Sequence, residues 1–296
     1  MAEHRGTERW WTARWWTDRL DRCWNWAPWT GAAAALRAGL ALVSPTDCVG
    51  CTAPDTVLCP RCRGAVRAAT VRPFRAEDAA EALPLLDDGV PLPAVAAGTY
   101  RDELAAALLA FKNTQRIGLA GVLGPALAGA LQAAAPLAGT AVPVLVVPVP
   151  STAAAQARRG YAPVAVLLRW VSRRGLLPPQ FHVAPVLRVA GVPFLRTVGQ
   201  KSVGQKSRGR RARARGASRL ELRRSLCLGK GLELRGRVCV VVDDVLTTGA
   251  TAAAAWRALE SAGAHVAAVV VVAATPAPRG TAATPVPRAD PERRFR

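Results

Sequence analysis

Residues 238–251 read VCVVVDDVLTTGAT. An apolar run stops at two adjacent carboxylates, Asp243 and Asp244, and gives way to a loop of threonine and glycine. The alanine-rich stretch TAAAAWRALESAGA (251–264) follows, and then HVAAVVVVAA (265–274). Short continuous apolar runs bounded by turn residues read as strands buried on both faces, and the stretch between them has helix length. The segment is therefore a strand–helix–strand unit with its acids at the carboxyl edge of the first strand.

The same alternation extends upstream. VPVLVVPVP (142–150) is a strand bounded by prolines, YAPVAVLLRWVSRRG (161–175) a helix, and VAPVLRVAG (183–191) a second strand. In YRDELAAALLAFKN (100–113), Leu104, Leu108 and Phe111 recur at helical spacing, and LAGVLGPALAGALQAA (119–134) is helix-like as well. Residues 66–97, with prolines and the acids Glu77, Asp78, Glu81, Asp87 and Asp88, read as connecting structure. The expected fold class is α/β, a doubly wound, mostly parallel sheet.

In such sheets a ligand binds where strands end at their carboxyl edge and the next helix offers free N–H groups. The amides and hydroxyls of the loop Thr247, Thr248, Gly249, Ala250 and Thr251 suit a phosphate, with Gly249 allowing close backbone approach. Asp243 and Asp244 would repel a phosphate; their natural partners are hydroxyls or a bridging Mg2+. Phosphate, sugar hydroxyls and a metal together describe a ribose 5-phosphate group. A second strand end opens PVPSTAAAQARRGY (148–161), in which Arg158, Arg159 and Gly160 are expected to hold a pyrophosphate.

The chain has 296 residues, of which 51% are hydrophobic, enough for one or two domains with a real core. Its net charge of +20 favours polyanionic partners, although arginine enrichment by itself would produce the same number. Seven tryptophans, from Trp10 to Trp29, crowd the first thirty positions, which read either as an interfacial contact with membrane or nucleic acid or as a leader without a specific role. No stretch has the pattern of a signal peptide or the length of a membrane span, so the expected location is cytoplasmic, where structural disulfides are rare.

CVGCTAPDTVLCPRC (48–62) carries two Cys-x-x-Cys pairs, Cys48/Cys51 and Cys59/Cys62, separated by seven residues. Each pair can form a knuckle that aims two thiolates at a common centre, and four thiolates close a tetrahedral structural Zn2+ site. The seven intervening residues contain a turn signal and have room for a short hairpin. Cys239, inside an apolar strand, reads as core.

VVVDDVLTTGAT resembles the phosphoribosyl pyrophosphate (PRPP) signature of type I phosphoribosyltransferases. That resemblance implies that Asp243 and Asp244 contact the ribose hydroxyls as the catalytic acids and that Thr247–Thr251 hold the 5′-phosphate. A zinc ribbon, a Tyr…Phe-Lys helix, a PVP…RRG loop and DDVLTTGAT in this order resemble the ComF family, which is phosphoribosyltransferase-like and associated with DNA uptake during competence. The implied organisation is a Trp/Arg-rich extension (1–35), a zinc ribbon (36–66), a linker or hood (67–97), a phosphoribosyltransferase-like domain (98–276) and a tail (277–296), with extension and tail expected to be disordered.

Two departures stand out. STAAAQA replaces the histidine and arginines that the family carries after PVP, and GYAP (160–163) replaces Gly-Phe-Asn-Gln. The implied function is an Mg2+-dependent transfer of a phosphoribosyl group to a nitrogenous acceptor. The alternative is a non-catalytic accessory that senses PRPP or binds single-stranded nucleic acid. The basic segment RTVGQKSVGQKSRGRRARARG (196–216) fits a loop closing over PRPP, a nucleic-acid contact or a solvated insert.

Overall fold

The computed structural model describes residues 47–139, 143–190, 220–223 and 233–276. The extension 1–35, the basic segment 196–216 and the tail from residue 277 lie outside these, as do Cys23 and Cys227. The described elements begin with helix α1 (Pro60–Thr70), β1 (Phe74–Arg75), β2 (Ala94–Thr99), α2 (Asp102–Asn113), α3 (Ala120–Ala134) and β3 (Val144–Pro148). They continue with α4 (Ala153–Arg159), α5 (Pro163–Arg173), β4 (Phe181–Val183), β5 (Leu187–Val189), β6 (Leu220–Leu222), β7 (Val238–Leu246), α6 (Ala250–Glu260) and β8 (His265–Ala274).

Six strands form one sheet in the order β1-β2-β8-β7-β3-β4, parallel except for the antiparallel edge strand β1. This is the mostly parallel α/β architecture expected from the sequence. Period-two alternation divides the strands between two cores. On one face Ala94, Ala96, Leu145, Val147, Cys239, Val241, Val269 and Val271 pack with Ala252, Ala255 and Leu259 of α6. The intervening residues, among them Val95, Val146, Val240 and Val242, are buried too and by alternation belong to the other face, where α3 packs on β2 and β8. A register shift between Cys239 and Val240 changes the parity of β8 and lets Val266 join Val269 and Val271 in one cluster.

Helical stretch Ile117–Ala138 is the one among the described residues long and apolar enough to cross a membrane. Its composition has a simpler cause: most of it is buried in the fold, and α3 within it packs on two central strands and on α5. Cys239 is fully buried as expected, and burial followed by the Glu260 carboxylate pushes its thiol up to about 12.

The structure differs from expectation at three places. Residues 67–97, expected as linker or hood, supply β1 and β2 to the sheet, and β2 is an inner strand paired with β8. In 183–191 the sheet strand is the earlier Phe181–Val183. Leu187–Val189 instead pairs with β6 in a separate antiparallel ribbon. β7 does not stop at its acids, because Asp243 still pairs with Val271 and Val245 with Ala273.

Candidate functional site

The connection from β7 runs through α6 to β8 on one side, and that from β3 runs through α4 and α5 to β4 on the other. The chain therefore changes winding direction between β3 and β7, which are neighbours through the pair Pro148/Val242. Beyond it the Val149 N–H donates to the Val242 carbonyl at 2.9 Å. Open α/β sheets present their ligand crevice at this switch, outside the carboxyl ends of the strands. Asp243 and Asp244 follow Val242 directly.

The two acids are adjacent near the end of β7, and both feel the same cation, Lys112. Asp244 Oδ1 receives Lys112 Nζ from the last turn of α2 at 2.9 Å, and both side chains are largely buried, at 25% and 13% exposure for Lys112 and Asp244. Asp243 Oδ1 accepts the Asp244 N–H at 2.8 Å. Burial, and then the neighbouring Asp244 carboxylate, push Asp243 well above the usual carboxylate range; the Asp244 N–H and the Lys112 ammonium pull it the other way. The residue as a whole is half-buried. Loss of water around the group and a like charge beside it both disfavour the ionised form of Asp243.

The loop after β7 delivers its hydroxyls outward: Thr247, Thr248 and Thr251 are exposed while Gly249 is buried. Thr248 is fixed at both ends, its hydroxyl accepting from the Ala250 N–H at 3.4 Å and its carbonyl from the Ala82 N–H at 2.8 Å. Gly249 caps α6 with a φ of 83°. A Cβ there would also lie 3.0 Å from both the Leu83 nitrogen and Cγ. Two independent constraints thus require glycine. Gly249→Ala is expected to cost about 1–3 kcal/mol, read as a lowered urea midpoint with unchanged slope.

Arg158 and Arg159 were expected in a loop at a strand end. They lie instead in the last turn of the short helix α4, whose Thr152 cap accepts from the Ala155 N–H at 3.2 Å and which ends in left-handed Gly160. Arg158 is exposed. Arg159 Nε and the Tyr161 hydroxyl are buried without hydrogen-bond partners, an unusual state for polar atoms. The Tyr161 ring meets Phe111 edge-on, with centroids 5.7 Å apart and an interplanar angle of 68°. Phe111–Tyr161 and Lys112–Asp244 together tie α2, the segment after α4 and β7 to one place. In the sequence Phe111-Lys112 belongs to a pattern that assigns Lys112 no role. The available signal was its rarity: the other lysines are Lys201, Lys206 and Lys230, in a chain whose cations are otherwise arginines. Of the described histidines, His182 and His265 are both exposed, and His265 opens β8 with its ring 3.9 Å from Glu260.

The cysteine pairs converge as their spacing implied. The sulfurs of Cys48, Cys51, Cys59 and Cys62 all lie within 4.8 Å of one another. Thiolates about 2.3 Å from a tetrahedral metal sit about 3.8 Å apart, and Cys51 and Cys59 Sγ are separated by 3.6 Å, well beyond disulfide length. The cluster can hold a metal ion, and an all-thiolate tetrahedral set is the donor chemistry of structural zinc. No strand forms between the pairs. Val49 N–H reaches the Val57 carbonyl at 3.1 Å, and the second pair opens α1, with Cys59 as its cap and its sulfur accepting from the Cys62 N–H at 3.5 Å.

A family model described as "Phosphoribosyl transferase domain" matches residues 177–289. An adenine phosphoribosyltransferase of Mycobacterium tuberculosis (strain CDC 1551 / Oshkosh) is 47% identical over 57 residues, 19% of this chain and 24% of that protein. The adenine phosphoribosyltransferase of Mycolicibacterium gilvum is 53% identical over 53 residues, covering 18% and 30%, and that of Mycobacterium avium 57% over 42 residues, covering 14% and 23%. The chain thus spans about a quarter of the length of the first relative. These similarities and the sheet agree on a phosphoribosyltransferase-like fold.

Proposed function

We propose that the chain binds PRPP at the β3/β7 switch and acts as an Mg2+-dependent phosphoribosyltransferase of the ComF type. The observation that carries this reading is the joint placement of Asp243, Asp244, the Thr247–Thr251 loop and Lys112 at one strand end. Hydroxyls and amides of the loop hold the 5′-phosphate at the start of α6, and the two carboxylates accept the ribose hydroxyls. Arg158 and Arg159 stand on the β3 side, where the pyrophosphate would lie. Mg2+, if bound together with PRPP, would supply charge neutralisation for the pyrophosphate leaving group. An acceptor nitrogen adds to C1 of the ribose as the C1–oxygen bond breaks and pyrophosphate leaves.

The four cysteines bind structural Zn2+ in this reading, within the ribbon at 36–66. The segment 77–83 acts as part of the hood, since its Ala82 N–H already holds Thr248. Similarity to adenine phosphoribosyltransferases makes adenine the first acceptor to test. The non-catalytic accessory remains the second reading, favoured by Arg159 Nε and Tyr161 OH being buried where a catalytic site would expose polar groups and by the charge of +20.

Calorimetry of PRPP with and without Mg2+ separates the two from a null result. Mg2+-dependent binding followed by consumption of PRPP with a base supports transfer. Binding without turnover, or single-stranded DNA binding that falls steeply with salt, moves the conclusion to the accessory. A folded, metal-loaded chain that binds no PRPP overturns both PRPP readings.

A further inference from the structure

Lys112 lies in the last turn of α2, where a cation would ordinarily complement the helix dipole in solvent. It is turned instead onto a carboxylate at 2.9 Å, and neither side chain is well exposed. Its neighbour Phe111 is 0% exposed and packed edge-on against Tyr161, so the backbone that presents Lys112 is anchored by a buried ring. Lys112 engages Oδ1 of Asp244. A carboxylate offers two oxygens, and with one of them held by the ammonium the orientation of the Asp244 group at the strand end is restricted.

We infer that Lys112 is a positioning residue: it aims Asp244 at a ribose hydroxyl and so sets the preference for a sugar phosphate over phosphate alone. This rests on the phosphoribosyl reading above. The phosphate loop is held separately, by Thr248, Ala82 and the Gly249 cap. Loss of Lys112 therefore acts on the sugar end of the ligand and not on the phosphate end. Arginine keeps the charge and reaches the same carboxylate, with a different fork of donors.

The test titrates the full-length, metal-loaded chain and its Lys112→Met and Lys112→Arg variants with ribose 5-phosphate, inorganic phosphate and PRPP, with folding checked by circular dichroism. Lys112→Met is expected to weaken ribose 5-phosphate and PRPP alike by about tenfold, to change inorganic phosphate by less than about twofold, and to be largely restored by Lys112→Arg. Equal binding of ribose 5-phosphate by wild type and Lys112→Met overturns the inference while leaving the proposed function intact. A loss confined to PRPP also overturns it, because Lys112 would then contact the pyrophosphate. Equal losses for inorganic phosphate and sugar phosphate, with Lys112→Arg failing to rescue, assign Lys112 a purely structural role and overturn it as well. A folded wild type that binds neither PRPP nor ribose 5-phosphate removes the reading beneath it, and the inference goes with it.

Discussion

Asp243→Asn is expected to make the protein more stable at neutral pH and to weaken its binding of PRPP. Both effects follow from one placement. Asp243 sits beside Asp244 in a strand where Cys239–Val242 before it are fully buried, and burial raises its pKa in the folded state above the unfolded value. A raised folded pKa means that the native state holds its proton more tightly than the unfolded chain does. That contribution is fully present below the unfolded pKa, about 3.9, and is lost as pH rises through the folded pKa. At neutral pH the wild type carries the penalty of a charge or an unfavourable proton at this position, and the amide does not. The variant should melt a few degrees higher at pH 7–8, at about 2–4 °C per kcal/mol for a chain of this size. The difference should shrink toward zero near pH 4. Binding moves the opposite way: replacing a charged acceptor of a ligand hydroxyl by an amide loses about 1.5–3 kcal/mol, or roughly 10–150-fold in Kd. Differential scanning calorimetry across pH and PRPP titration at pH 7.5 read the two effects on the same preparations. A variant that melts lower than wild type at pH 7.5 contradicts the account of Asp243. One that binds PRPP normally contradicts its proposed role.

What could be read from the sequence was what is local. β3, β7 and β8 announce themselves because strands covered on both faces become continuous valine runs. The acids and the threonine loop occupy contiguous positions, so their order was already their geometry. β2 escaped because Ala94–Thr99 reads AVAAGT, with little of the β-branched content that marks a strand; its state is set by pairing with β8, a partner far along the chain. β4 has only three residues, too few for any period to appear. The same distinction separates the site residues. Lys112 needs a tertiary contact with Asp244 before it means anything, and Phe111 needs Tyr161. Arg158 and Arg159 were correctly tied to the segment after β3. They lie in a short alanine-rich helix and not in a loop, because Thr152 caps it and Gly160 closes it. Composition near a strand end does not say whether the chain loops or winds a turn first.

Cys62→Ser is expected to release the metal and lower the melting temperature by about 10 °C or more. The thiol is buried, in the first turn of α1, and Gly50 approaches it so closely that a Cβ there would lie 2.7 Å from Cys62 Sγ. A hydroxyl can fill the space but is a poor partner for a borderline-soft ion. Structural zinc contributes on the order of 10–16 kcal/mol in isolated fingers; less is expected here, because the sheet has a core of its own. The loss should spread along α1, which packs on α2, α3 and β2 through a face containing buried Val66 and Thr70. Since α2 carries Phe111 and Lys112, loosening α1 should also weaken PRPP binding, by less than the direct loss of Asp243. Native mass spectrometry should find one zinc ion per wild-type chain and none in the variant, and chelation of the wild type should reproduce the variant's melting curve. A wild type that purifies metal-free and melts identically with and without chelator shows that the thiols pack without a metal. In that case the Cys62 contribution is ordinary burial, and Cys62→Ala should be milder than Cys62→Ser, which would leave a buried hydroxyl without a partner.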